Sequence, residues 1–238
     1  MADAPLTVTW LGHATILFES PGGRRLLIDP WLGNPSCPAE CKDVGSIDVV
    51  LVTHGHSDHI EDAPAVAKRT GAVVVGTYEV CHWLGMKGVR STSPMNKGGT
   101  VEQAGIRISM VDALHTSSYV DASGITYLGE AAGYVLRFEN GTTVYCAGDT
   151  ALFGDMVLIK ELYAPQIAFL PIGDLFTMGP EAAARAVDFL GVRQVAPIHY
   201  GTFPALTGTI ARFRPLVEPK GVRVLELHPG VPMQIPAA

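Results

Sequence analysis

The sequence predicts an α/β protein built from two successive strand-and-helix halves, and three observations carry the prediction. Short apolar runs such as Ile47–Val52, Ile167–Leu170 and Val192–Pro197 alternate with segments of helical length. Asn140-Gly141 joins two strand-like runs and is the strongest short hairpin signal in the chain. Metal-capable side chains follow directly on several of the apolar runs, where open α/β sheets place their sites.

Taken in order, Thr7 to Trp10, Ala14 to Glu19 and Arg25 to Ile28 read as strands, with Pro21-Gly22-Gly23 as a turn. Asp48 to Thr53 is the next strand. A helix from about Asp58 to Lys68, closed by Gly71, leads to a strand over Ala72 to Val75. A helix near Tyr78 to Leu84 and strands over Thr100 to Gln103 and Ile106 to Ala113 complete the first half. The hairpin Gly133 to Glu139 and Thr143 to Ala147 opens the second. Helices over Asp155 to Tyr163, Pro180 to Leu190 (Pro in its first turn) and Thr207 to Leu216 then alternate with strands over Ile167 to Leu170, Val192 to Pro197 and Val222 to Leu227.

The chemistry is concentrated in Thr53-His54-Gly55-His56-Ser57-Asp58-His59, which places four metal-capable side chains just past a buried strand. Imidazole nitrogens and carboxylate oxygens are what zinc and other first-row divalent ions bind. The chain has eight histidines, and two more, His115 and His199, stand at strand ends, as does Asp149 in Gly148-Asp149-Thr150. Each is a strand, then a candidate ligand, then a small or polar residue.

These motifs, in this order and with Ile28-Asp29-Pro30 upstream, resemble the metallo-β-lactamase superfamily along nearly the whole chain. Trp10-Leu11-Gly12-His13-Ala14, Pro171-Ile172-Gly173-Asp174 and Pro197-Ile198-His199-Tyr200-Gly201 are similar to a branch of bacterial and archaeal metal-dependent hydrolases. That branch is related to the ascorbate-6-phosphate lactonases and, more distantly, to the N-acyl phosphatidylethanolamine phospholipases D. The resemblance implies a four-layer αβ/βα sandwich, two mixed sheets with helices outside, forming one domain over residues 1–238. It also implies a dinuclear site. One ion would be held by His54, His56 and His115, the other by Asp58, His59 and His199, with Asp149 bridging. Zinc is the first expectation for both ions, with manganese or iron as alternatives, because a site without thiolates accepts all three.

The activity expected from this is hydrolysis of a small ester, lactone, amide or phosphodiester by a metal-bridging hydroxide. Asp58 or His13 would move the proton, and His13 is expected at the pocket mouth as a proton donor or substrate contact, or else in a structural turn. Asp29 reads as a carboxylate that orients a ligand histidine, or as a turn residue before Pro30. The alternative is a non-catalytic metal-binding scaffold or sensor on the same fold. Its usual mark would be a lost ligand, and none is lost. His82 and His228 read as surface or packing residues; Tyr200 and Thr177 are open between a substrate contact and a loop role. The segment Ile172 to Gly179, with Phe176 at its centre, is expected to wall or cover the pocket.

Composition bounds the rest. At 238 residues and 47% apolar content the chain can bury a substantial core. A net charge of −6 argues against broad nucleic-acid binding, and no apolar run approaches the length of a membrane span. The start, Met1-Ala2-Asp3-Ala4-Pro5, is neither basic nor extended and apolar, so a cytoplasmic protein acting on a small molecule is expected, with homo-oligomerisation left open. Cys37, Cys41, Cys81 and Cys146 are expected as free thiols outside the site.

Overall fold

Two seven-stranded sheets face one another in the computed structural model, which describes residues 4–235. Met1 to Asp3, on which part of the leader reading falls, lie outside the described residues. The first sheet is laid down by β1 (Leu6–Trp10), β2 (Ile16–Glu19), β3 (Arg25–Ile28), β4 (Val49–Leu51), β5 (Val73–Thr77) and β6 (Thr92–Met95), in that spatial order. The helices α1 (Ser57–Ile60), α2 (Ala63–Thr70) and α3 (Tyr78–Met86) fall between its strands in sequence. The second sheet begins with β7 (Thr100–Gln103) and β8 (Ile106–Asp112). After a separate hairpin, β9 (Ser118–Asp121) and β10 (Gly124–Tyr127), it continues through β11 (Ala132–Arg137), β12 (Thr143–Cys146), β13 (Ile167–Pro171), β14 (Gln194–Ile198) and β15 (Arg223–Val224). The helices α4 (Met156–Tyr163), α5 (Pro180–Leu190) and α6 (Ile210–Val217) separate its later strands, and β16 (Pro232–Ile235) returns to pair with β1 in the first sheet.

Strand alternation explains the layering. Leu6, Val8, Phe18, Leu26, Ile28 and Leu51 of the first sheet pack in one cluster with Ile108, Met110, Tyr134, Leu136 and Phe169 of the second, so the inner faces form the central core. The opposite faces are covered by helices: Leu27, Val50 and Val74 meet Ile60, Val66 and Leu84, while Val135, Tyr145 and Ala168 meet Ile159, Ala183 and Phe213. The result is the expected four-layer sandwich. Phe18, fully buried between Phe138 and Phe169 at ring distances of 5.6 and 5.3 Å, illustrates what holds it. Truncating such a ring to Ala costs about 3–5 kcal/mol.

Several boundaries differ from the sequence expectation, each for a local reason. The helix expected over 58–68 is two, α1 and α2, because Pro64 lacks a donor and starts a new first turn while Asp62 turns back to accept from the Leu32 amide at 2.6 Å. The last expected strand shrinks to Arg223–Val224. β6 and β16 were not expected: both carry a proline, and both are edge strands, where a missing donor costs no ladder bond. The β9–β10 hairpin also escaped the pattern reading. It is pinned by Tyr119, whose hydroxyl donates to Glu61 Oε2 at 2.9 Å and whose ring lies 4.7 Å from Trp83.

Strand directions set the site. β1 and β3 both pair antiparallel to β2, β4 runs parallel to β3, β8 and β12 both pair antiparallel to β11, and β14 follows β13 and β12 in parallel. The C-terminal ends of β1, β3 and β4 therefore share one edge of the first sheet, and those of β8, β12 and β14 one edge of the second.

Candidate metal centre

His13, Asp29 and the 53–59 motif emerge from the first sheet, and His115, Asp149 and His199 from the second, so the two edges meet at the candidate ligands. The backbone is strained to achieve this. His13, Asp29 and His199 all adopt left-handed conformations, with φ of +52°, +46° and +54°. Such residues cost about 1–3 kcal/mol each and persist where the surroundings hold them, typically at functional sites. Two glycines permit the close approach of the loops. A side chain at Gly55, between His54 and His56, would start 2.5 Å from Leu128 Cδ1, and one at Gly148, with φ +61°, would start 2.7 Å from Thr53 Cβ.

Three ring nitrogens converge on one point. His54 Nε2 lies 3.0 Å from His56 Nδ1, which lies 3.3 Å from His115 Nε2. Ligand nitrogens about 2.0–2.1 Å from a tetrahedral zinc stand roughly 3.3 Å apart, so this spacing fits a shared ion. Proton bookkeeping agrees. The Thr53 hydroxyl donates to Asp29 Oδ2 at 2.7 Å and can only accept from His54 Nδ1 at 2.9 Å, which leaves His54 Nε2 with a bare lone pair facing the cluster.

A second group joins His13, Asp58, His59 and His199, whose donor atoms all lie within 4.8 Å of one another. Asp29 Oδ2 accepts from His59 Nδ1 at 2.8 Å, the orienting role expected of it, and points His59 Nε2 inward. Asp149 Oδ2 stands between the groups, 3.3 Å from His59 Nε2, 3.1 Å from His199 Nε2 and 3.7 Å from His115 Nε2. His59 Nε2, Asp149 Oδ1 and both ring nitrogens of His199 are buried without a hydrogen-bond partner. Four such orphans in one place are rare in a folded protein, and divalent cations are what this donor set accepts.

His13 corrects one expectation. It is fully buried rather than placed at a pocket mouth, packed 3.9 Å from the His199 ring and edge-on to Trp31 and Phe203. Its Nε2 contacts Asp58 Oδ2 at 3.0 Å and its Nδ1 contacts Thr202 Oγ1 at 2.9 Å. Burial lowers its pKa to about 4, so the ring is neutral at pH 7, donating to Asp58 and accepting from Thr202. Asp58, 28% exposed, His115, 14% exposed, and the half-buried His56 are where the centre opens to solvent. Burial also lowers His54, His56 and His115, keeping them neutral as metal binding requires. For His59 burial acts downward, but Asp149 and Asp29 outweigh it and push the pKa well up. An ion bound there would take the place of that proton. Asp149 is held well below the usual carboxylate range because His199 and His59 outweigh its own burial.

Thr53 braces His54 and Thr202 braces His13, contacts the sequence does not predict, although Thr202-Phe203-Pro204 is expected from it as a wall of the pocket. Their signal was position alone, one residue before a ligand and three after one. His82 and His228 are exposed. Tyr200 stacks on Trp10 at 5.3 Å, and the Thr177 hydroxyl donates to the Met178 carbonyl at 3.3 Å. The four cysteines are free thiols away from the cluster. No helix of the described residues is long and apolar enough to cross a membrane.

Comparison with known proteins places this geometry. The profile of the beta-lactamase superfamily domain matches residues 24–200. A metal-dependent hydrolase of Solibacter usitatus is 46% identical over 230 residues, covering 96% of this chain and all of the relative, and one of Rubrobacter xylanophilus is 49% identical over 223 residues, covering 93% and 92%. Among solved structures, Igni18, a metallo hydrolase from the archaeon Ignicoccus hospitalis, superposes with a TM-score of 0.87 at 34% identity over 98% of this chain and 99% of its own. The chain belongs to the metallo-β-lactamase superfamily and groups with its metal-dependent hydrolases.

Proposed function

We propose that the centre holds two divalent ions and that the protein hydrolyses a small ester, lactone, amide or phosphodiester. The observation that carries this is the set of buried, unpartnered donor atoms on His59, His199 and Asp149 beside three converging histidine nitrogens. His54, His56 and His115 would hold one ion, Asp58, His59 and His199 the other, and Asp149 both. Zinc suits the set best, with manganese or iron as the alternatives. When bound, two such ions lower the pKa of water toward neutrality and so supply a nucleophile at ordinary pH.

The chain's own residues do the rest. Asp29 fixes His59 directly and His54 through Thr53, so one carboxylate orients a donor of each group. Asp58 is the half-buried carboxylate of the cluster, open to solvent where Asp149 is not, and is the group to accept a proton during turnover. Its partner His13, neutral and buried, holds Asp58 in place from behind and is a positioning residue. Loss of a ligand would favour a scaffold or sensor, but every donor expected from the sequence is in the cluster.

Elemental analysis of reconstituted protein, followed by a panel of carboxyl esters, lactones and phosphodiesters, tests the proposal. Two ions per chain and ion-dependent turnover are expected. One ion at saturation counts against the dinuclear assignment, and no turnover by fully loaded protein counts against hydrolysis.

A further inference from the structure

We infer that the substrate is apolar and carries no negative charge where it meets the rim of the metal centre, an inference that rests on the hydrolytic reading and narrows it. The segments that surround the candidate ligands, 29–35, 53–62, 112–117, 147–155, 172–179 and 199–209, contain no lysine or arginine. They do contain acids, Asp58, Glu61, Asp62 and Asp174 among them. An anionic substrate is ordinarily gripped by arginine or lysine, whose donors match carboxylate and phosphate oxygens.

The lysine next to His115 is already paired. An open cavity of about 520 Å³ next to His115 is lined by Lys97, Asp112, Leu114, Thr116 and Glu130. Lys97 Nζ donates to Asp112 Oδ1 at 2.5 Å and to Glu130 Oε2 at 2.9 Å, so the trio carries a net negative charge. The N-terminus of α5, which could also attract an anion, faces Asp174: a side chain at Gly179 would start 3.2 Å from its carboxyl carbon.

What the rim does offer is apolar surface. Leu114 is 50%, Leu175 65% and Phe176 59% exposed, and their loops are tied together beside Asp149. The Leu114 amide donates to Thr150 Oγ1 at 3.0 Å, the Ala151 amide to the Leu114 carbonyl at 3.1 Å, and the Met178 amide to the Thr150 carbonyl at 3.1 Å. Asp174 and Leu175 both take left-handed backbone conformations, with φ of +68° and +55°, at the turn that presents Leu175 and Phe176. Beside His13, Phe203 stacks on Trp31 at 5.8 Å, with its ring 5.5 Å from the imidazole. Two apolar surfaces thus border a centre whose ligand-bearing segments supply acids and no lysine or arginine, which favours an apolar chain or ring and repels an anionic one.

The test uses substrates with the same reacting bond. Metal-loaded protein should cleave 4-nitrophenyl hexanoate with kcat/KM at least about tenfold above mono-4-nitrophenyl adipate, whose chain ends in a carboxylate. Leu175→Lys should close most of that gap. Adipate equal to or better than hexanoate, a gap unchanged in Leu175→Lys, or a phosphodiester preferred to both esters would overturn the inference while leaving hydrolysis intact. If the loaded protein cleaves nothing, the hydrolytic reading fails instead, and calorimetric binding of hexanamide against adipamate decides the charge preference by itself: tighter hexanamide supports it and tighter adipamate overturns it.

Discussion

Asp29→Asn is the sharpest probe of how the centre is held, because it changes protonation chemistry without changing shape. Asparagine tolerates the left-handed conformation at this position, so the backbone strain is unaltered. The hydrogen bonds cannot be kept. Asp29 Oδ1 accepts the Thr53 amide at 2.8 Å, while Oδ2 accepts the Thr53 hydroxyl at 2.7 Å and His59 Nδ1 at 2.8 Å. An amide nitrogen placed at either oxygen position meets at least one fixed N–H donor. One bond to a charged acceptor is lost and a buried donor is stranded, together about 3 kcal/mol. Urea unfolding of metal-free protein should show a loss of that size, and chelator competition should show ion affinity reduced about 10–100-fold, the usual effect of removing a group that orients a ligand. Because Asp29 reaches His59 directly and His54 through Thr53, both ions should weaken, whereas Thr53→Val should weaken mainly the ion held by His54. An Asn variant within about 0.5 kcal/mol of the parent, with unchanged ion affinity, would refute the relay.

The remaining predictions concern the cluster, its protons and its rim. Asp149→Ala should abolish turnover and weaken both ions, while His82→Ala on the exposed face of α3 should leave metal content and rate unchanged, as read by elemental analysis and kinetics. Metal-free protein should lose stability on acidification from pH 6.5 toward 4, because buried His13, with a pKa near 4, refuses a proton that the unfolded chain binds at its ordinary 6.5. Unfolding melts should register about 3 kcal/mol from His13 alone at the acid end of that window. His59, raised by its carboxylates, opposes this only slightly near pH 6.5, where the unfolded chain is still half deprotonated, and adds no slope below about pH 5.5. Phe176→Ala should change the ratio of kcat/KM between short and long neutral esters with metal content intact; unchanged ratios would remove Phe176 from the pocket wall.

The candidate ligands were legible because each stands where an apolar run stops. Buried strands announce themselves by β-branched residues, and a histidine or aspartate just beyond one has no packing reason to be there. The hairpin at Asn140-Gly141 and the helix Pro180–Leu190, bounded by Gly179 and Gly191, were legible for the same kind of local reason. β6 and β16 were not, since a proline in a short polar stretch speaks against a strand until the fold shows that the strand is an edge. The β9–β10 hairpin depends on Tyr119 reaching Glu61 and Trp83, contacts between residues distant in the chain.

His13 shows where local reasoning ends and tertiary structure begins. In sequence it is a lone histidine after a glycine, as suited to a turn as to a site. In the fold, Trp10 Nε1 and the His199 amide both donate to its carbonyl, at 2.8 and 2.9 Å, so the first strand of one sheet and a ligand of the other are tied at a single residue. Its ring then sits behind Asp58, and Thr202, three residues past His199, sets which nitrogen faces forward. Thr202 therefore acts on Asp58 through His13, while His199 of the same loop lies 3.8 Å from that carboxylate. Thr202→Val removes only that hydroxyl. It frees the His13 ring to turn or change tautomer, so the acid limb of the pH–rate profile should move while ion content stays constant. A profile that coincides with the parent's would mean that Asp58 does not depend on His13 for its position.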